Sequence, residues 1–184
     1  MLNKLFTKLL SPIGTIALII CIGFGLNYAA RHFMGNATAQ NGNSASTQVL
    51  LAATFPDENG KPQALKQWQG KIIVLNFWAT WCPPCREEIP ELSALNTQYQ
   101  NKNVIVLGLA IDDVGLVNEF NKEIKVSYPL LAAENGGMDL AAALGNDKGV
   151  LPYTVIIKAD GTVAKTYFGR ISKPLLEKTL LKLL

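Results

Sequence analysis

Cys82 and Cys85 stand two residues apart in the run Trp81-Cys82-Pro83-Pro84-Cys85. Two cysteines at that spacing can close a small disulfide ring and open it again. The chemistry they offer is thiol–disulfide exchange, in which the attacking species is a thiolate. The run before them, Ile72 to Ala79, is apolar in the manner of a buried strand, and the run after them, Arg86 to Gln100, has helical spacing. Cys82 is therefore expected at a helix N-terminus, where unpaired backbone N–H groups and the helix dipole favour an anion. Cys85 falls one turn further in.

Competing chemistries have less behind them. A structural zinc site needs four ligands, usually Cys or His. The only further Cys and His are Cys21 and His32, in and beside an apolar N-terminal run. A permanent disulfide over so short a loop would restrain the unfolded chain little. One histidine in 184 residues also removes most histidine-dependent catalysis. The formal charge of +3 resides at the N-terminus: Lys4, Lys8 and Arg31 precede residue 36 and leave 14 Lys and Arg against 14 Asp and Glu. A neutral remainder carries no nucleic-acid footprint.

The elements that must position the pair follow from patterning. Residues 9–30 hold no charged side chain, and these 22 residues are about what a helix needs to cross a bilayer. Lys4 and Lys8 precede the run, so the positive-inside rule puts residues 1–10 in the cytoplasm, a single-pass anchor at 11–32, and the rest outside. Ala37-Thr38-Ala39 has the small-x-small form of a signal cleavage site, but the apolar run exceeds a usual signal core, which favours the anchor. Cys21 lacks small residues just before it, as a lipid-attachment cysteine would have, and reads as an inert membrane residue. Residues 33–48 are a flexible linker, poor in charge and in large apolar residues toward their C-terminal part. Residues 49–184 form the folded domain, long enough to bury a core without staples.

Within that domain, Asp57 to Lys61 signals a turn between Thr54-Phe55 and Ala64-Leu65. A second buried strand spans Asn103 to Ile111. Asp112-Asp113 end it and cap a helix over 114–124. A short strand over Tyr128 to Leu131 and a short helix over Met138 to Leu144 follow. Tyr153–Lys158 and Thr162–Phe168 are strands joined by the hairpin signal Ala159-Asp160-Gly161. Ser172 is expected to N-cap a last helix carrying Leu175, Leu176, Leu180 and Leu183. Pro90 should kink the helix after the cysteines. The alternation gives an α/β fold, a mixed central sheet with helices on both faces.

Asn76-Phe77-Trp78-Ala79-Thr80-Trp81-Cys82-Pro83-Pro84-Cys85, followed by Glu88 and Pro90, resembles the thioredoxin superfamily, and within it the membrane-anchored TlpA-like and ResA-like thiol-disulfide oxidoreductases. The resemblance covers most of the chain from about residue 50. It implies a thioredoxin-like fold, with residues 112–144 as the extra strand-and-helix insertion of this branch. It also implies a Cys82–Cys85 redox disulfide, with Cys82 as nucleophile and Cys85 as resolving thiol. Leu151-Pro152 resembles the cis-proline site, where the Leu151 backbone would pair with an extended substrate. Trp81 would line the substrate surface, and Trp78 would pack in the core. Glu88 matches an active-site glutamate and becomes the candidate proton carrier, with Glu87 a solvated neighbour. Thioredoxins carry a buried aspartate where this chain has Asn76, so Glu88 is the nearest group able to take up a proton.

The function expected is an exported, inner-membrane-tethered oxidoreductase facing the periplasm. It would use no cofactor or metal and act as a monomer. It would reduce disulfides of particular proteins, such as apocytochrome c or oxidase copper-site proteins, and be re-reduced by a membrane thiol donor. The alternatives are a disulfide-forming oxidant, a copper metallochaperone using the two thiols, and a redox-dead holdase. Thiolates suit Cu(I), but related copper chaperones use a distant histidine that this domain lacks.

Overall fold

The computed structural model describes residues 47–184. The anchor expected at 11–32, Cys21, His32 and nearly all of the linker lie outside the described residues. Residues 47–52 are helical and lie just ahead of and across the expected domain start at residue 49. Among the described residues no helix is long and apolar enough to cross a membrane.

Among the described residues seven strands form two sheets. A small antiparallel pair joins β1 (Thr54–Pro56) to β2 (Pro62–Ala64), across the turn expected at Asp57 to Lys61. The main sheet has five strands in the order β5-β4-β3-β6-β7. Its centre is β3 (Ile72–Trp78), in which all seven residues are buried. Such a strand needs apolar side chains on both faces, which is why its sequence reads as a continuous run without alternation. Parallel to it lies β4 (Val104–Ala110), and parallel to β4 lies the short β5 (Leu130–Ala132). On the other side β6 (Tyr153–Ile157) and β7 (Val163–Phe168) run antiparallel, closing through the turn at Gly161, whose φ of +83° suits glycine.

Residues of even number in β3 face α1 (Pro83–Tyr99), α2 (Val114–Glu123) and α4 (Lys173–Leu180), packing Val74 and Trp78 against Ile89, Leu92, Val117, Phe120 and Leu176. Residues of odd number face α3 (Gly137–Ala143) and the turn at 47–52, packing Leu75 and Phe77 against Leu50, Leu140 and Ala141. The sheet is mixed and covered on both faces, as the strand–helix alternation predicted.

Two local expectations need correction, the start of the helix after the cysteines and the capping by Ser172. The helix after the cysteines starts at Pro83, three residues before the expected Arg86, because Pro83 and Pro84 occupy its first two positions, where a missing N–H costs no helical hydrogen bond. Pro90 lies inside α1, which continues to Tyr99. Ser172 sits at the N-cap of α4 with no side-chain capping bond, whereas Asp113 caps α2 by accepting the Leu116 N–H at 3.0 Å.

Candidate active site

Cys82 is the N-cap of α1, with extended backbone (φ −96°, ψ 105°), and its carbonyl accepts the Arg86 N–H at 3.1 Å. The two cysteines form a disulfide with their Cα atoms 5.3 Å apart. Cys82 keeps 5% of its surface exposed and Cys85 none, which is the asymmetry expected of an outer and an inner sulfur. When the bond is open, the Cys82 sulfur sits at the positive end of the α1 dipole, which favours a thiolate, while Pro83 and Pro84 supply no N–H at the first two helical positions.

The loop that delivers Cys82 is fixed from β4. Ile111 N–H donates to the Trp78 carbonyl at 2.8 Å, and Thr80 N–H donates to Asp112 Oδ2 at 2.6 Å. Asp112 is buried and holds the turn that presents Trp81 and Cys82. The sequence suggested only a strand-ending role for Asp112. Its pairing with a backbone 32 residues away leaves no local pattern. Trp81 is 66% exposed, while Trp78 is fully buried against Phe120, with ring centroids 4.7 Å apart. The two tryptophans divide as surface and core, as expected.

Glu88 is fully buried. Three residues beyond Cys85 in α1, it lies on the same helix face. Asn76 Nδ2 donates to Glu88 Oε1 at 2.7 Å, and the Ile171 N–H donates to Oε2 at 2.9 Å. Burial pushes the carboxyl up to about 7, against the opposing pull of those two hydrogen bonds and of the Arg170 charge. A carboxyl of that pKa is poised to take and give protons near neutral pH. Glu87, its neighbour, is exposed and faces Arg170 at 3.5 Å, a surface pair of little energetic weight. Asn76 thus holds the Glu88 carboxyl in place. Its Nδ2 also donates to Thr154 Oγ1 at 3.0 Å, linking β3 to β6.

The Leu151–Pro152 peptide bond is cis. Phe77 pairs with Tyr153, so Pro152 stands at the sheet edge from which the cysteine loop departs. Asn146, another buried residue that sequence reasoning passed over, braces this segment. It donates to the Val150 carbonyl at 2.8 Å and accepts the Val150 N–H at 3.0 Å. Beyond the proline, Gly169 N–H donates to the Pro152 carbonyl at 2.8 Å. The only hint of Asn146 in the sequence is an asparagine between glycines ahead of a proline, a pattern that fits any turn.

The AhpC/TSA family matches residues 47–166. The chain belongs to that family, within the thioredoxin superfamily. Its curated relatives include the thiol-disulfide oxidoreductase ResA of Bacillus thuringiensis subsp. konkukian, 31% identical over 91% of this chain and 92% of the relative. Among solved structures, a thioredoxin-family thiol:disulfide interchange protein of Chlorobium tepidum superposes with a TM-score of 0.64 at 26% identity, covering 71% of this chain and 92% of that one. A secreted Mycobacterium tuberculosis disulfide oxidoreductase homologous to E. coli DsbE does so at 0.61 and 28%, covering 72% and 97%. The chain is a thiol-disulfide oxidoreductase of ResA-like type with a thioredoxin-like fold.

As a member of this family it brings the expected residues to one end of the sheet. Cys82, Cys85 and Glu88 share α1, Trp81 precedes them, and Leu151-Pro152 stands where β6 begins. Among the described residues no three of His, Cys, Asp and Glu cluster as metal ligands.

Proposed function

We propose that this oxidoreductase is exported, tethered to the inner membrane by residues 11–32, and works in the periplasm as a reductant of disulfides in particular client proteins. The observation that carries the reading is the Cys82–Cys85 disulfide at the start of α1 with the buried Glu88 carboxyl on the same helix. The tether and compartment are supported by the uncharged run of residues 9–30 behind Lys4 and Lys8. Clients of the apocytochrome c or oxidase copper-site kind remain the proposed class, on the resemblance to the ResA-like branch.

The reaction follows from the placement of the sulfurs. The Cys82 thiolate attacks one sulfur of the client disulfide, forming the mixed disulfide and releasing the other client sulfur as a thiolate, which takes a proton from solvent. Glu88 accepts the Cys85 thiol proton. The Cys85 thiolate attacks Cys82 Sγ, closing the Cys82–Cys85 disulfide and freeing the second client sulfur, which is then protonated. Two electrons pass to the client. A membrane dithiol donor returns two electrons to the pair by the same exchange in reverse. Trp81 offers apolar contact beside the reacting sulfur, and the Leu151 backbone aligns the client chain.

The test is reduction of insulin by the full-length chain, with the reduction potential of the pair. Activity lost in Cys82→Ser and a potential near the thioredoxin value of about −270 mV support the reading, whereas a potential near about −120 mV makes the protein an oxidant. Absence of exchange in the unaltered chain refutes it.

A further inference from the structure

Three buried side-chain polar atoms among the described residues have no hydrogen-bond partner in the protein: Asn76 Oδ1, Trp78 Nε1 and Tyr128 Oη. They are not scattered. Asn76 and Trp78 are even-numbered residues of β3 and face α1, and Tyr128 belongs to the apolar cluster on that same face. Asn76 Nδ2 donates to Thr154 on β6 and to Glu88 on α1, which leaves Oδ1 as the half of the amide without a partner. The residue paired with Asn76 on β4 is Gly108.

Gly108 is where the other two meet. A Cβ there would lie 3.1 Å from Trp78 Nε1, 3.1 Å from the Tyr128 ring and 2.8 Å from Leu130. The tyrosine enters from just before β5, and its ring lies over the bare backbone of β4. Glycine is required here because side chains from both neighbouring strands occupy the space above it.

The three atoms are chemically complementary. Trp78 supplies an N–H donor, Tyr128 an O–H donor and Asn76 an acceptor. One water accepts two hydrogen bonds and donates two, so it satisfies all three, the usual number for a buried water. Left unmade, the three bonds would each carry a desolvation cost that native interiors rarely tolerate. Burial and the nearby Glu88 both raise the Tyr128 hydroxyl above its ordinary range, so it stays protonated and available as a donor.

We propose that Trp78, Tyr128 and Asn76 share a single ordered water beside Gly108, and that Tyr128 acts through this water and the Asn76 amide as a positioning residue for the Glu88 carboxylate. The inference rests on the proton-carrying role given to Glu88 above. The water donates to Asn76 Oδ1, which polarises the amide and strengthens the Nδ2–H bond to Glu88 Oε1. A stronger bond to the carboxylate favours its charged form. The chain of bonds thus opposes the burial that raises Glu88, and keeps it near neutrality. Besides Asn76 and the Ile171 N–H, the groups coupled to Glu88 are Arg170 beyond β7, Glu91 on α1 and Tyr128 before β5.

Tyr128→Phe in the full-length chain gives the test, because the two readings of the hydroxyl differ in sign. A hydroxyl bound to water, once removed, leaves the water short of a donor. The pH midpoint of insulin reduction that disappears in Glu88→Gln then moves upward by about half a unit, and the denaturation midpoint falls. An idle hydroxyl, once removed, relieves an unmet polar group: the pH midpoint stays and denaturation is unchanged or later, which overturns the proposal. A second measurement needs neither the variant nor activity. In the unaltered protein, the Trp78 indole N–H shows a magnetisation-transfer contact to a long-lived water if the site is filled, and none if the proposal is wrong. Insulin reduction that persists with an unmoved midpoint refutes this inference alone, while loss of exchange in the unaltered chain refutes the functional reading beneath it.

Discussion

Glu88 accepts the backbone N–H of Ile171 at 2.9 Å, across 83 residues of sequence. With Asn76 on its other oxygen, the carboxyl ties α1 to β3 and to the segment ahead of α4. The folded pKa is raised from an ordinary 4.5 to about 7. A raised folded value means that the native state binds the proton more tightly than the unfolded chain. The proton-linked stability is therefore fully present below about 4.5 and lost as pH rises through about 7, by up to ~3 kcal/mol. Glu88→Gln removes that dependence. Denaturant unfolding at pH 4.5 and pH 8 should show the unaltered protein losing stability relative to Glu88→Gln across this interval. Equal changes in both proteins would show that Glu88 does not titrate there.

The reaction should carry the same signature. Glu88→Gln cannot receive the Cys85 proton, so resolution of the mixed disulfide should slow by about 10²-fold or more and its pH dependence near 7 should vanish. Stopped-flow measurement of mixed-disulfide decay isolates this step from the first attack. A pH–rate profile identical to that of the unaltered chain would remove Glu88 from the proton path.

Asp112 offers a separation of hydrogen bonding from charge. Its Oδ2 is the acceptor for Thr80 N–H, two residues before Cys82. Asp112→Ala leaves that N–H unpaired in a partly buried setting and should cost about 1 kcal/mol, with a loss of kcat as the cysteine turn loosens. Asp112→Asn retains an acceptor oxygen and should recover most of the stability and rate. Failure of the asparagine to recover either would show that the charge, and not the hydrogen bond, is what matters.

The order of the two cysteines is open to direct capture. With Cys82 partly exposed and Cys85 fully enclosed, Cys85→Ser should leave Cys82 linked to its client, while Cys82→Ser should trap nothing. Non-reducing electrophoresis of membranes expressing each full-length variant reads the outcome. Adducts on Cys82→Ser and none on Cys85→Ser would reverse the assigned roles.

Which residues the sequence betrayed depended on how locally they act. β3 was legible because a strand buried on both faces must be apolar throughout, and Cys82 fell at a helix start because strand and helix signals meet there. The β6–β7 turn carried its own glycine. Glu88 stood out only through the family resemblance, since Glu87 beside it has the same local pattern, and burial alone separates them. The long-range contacts of Asp112, Asn76 and Tyr128 were hidden for a different reason. Their partners, or the sites they face, belong to other strands, so nothing in their immediate neighbours reveals them. Ser172 shows the converse: a residue of the right type at an N-cap position whose side chain does not cap, because the first turn of α4 is met instead by Glu91, which accepts the Lys173 N–H at 2.7 Å.

Asn146 supplies the last test, since it fixes the backbone that leads into Leu151-Pro152 without touching a sulfur. Both hydrogen bonds of its side chain go to Val150, one to the carbonyl and one from the N–H. This is the pairing a neighbouring strand would otherwise provide, in a segment that has none. Asn146→Ala removes both bonds and should destabilise the protein by about 1–3 kcal/mol. Asn146→Asp keeps the acceptor for the Val150 N–H but sets a carboxylate against the Val150 carbonyl, so it should restore only part of the loss. If the Leu151 backbone aligns clients, both variants should raise KM for a disulfide peptide more than they lower kcat, because the cysteines and Glu88 remain in place. A fall in kcat at unchanged KM would instead place Asn146 in the support of the cysteines and remove the Leu151 segment from client binding.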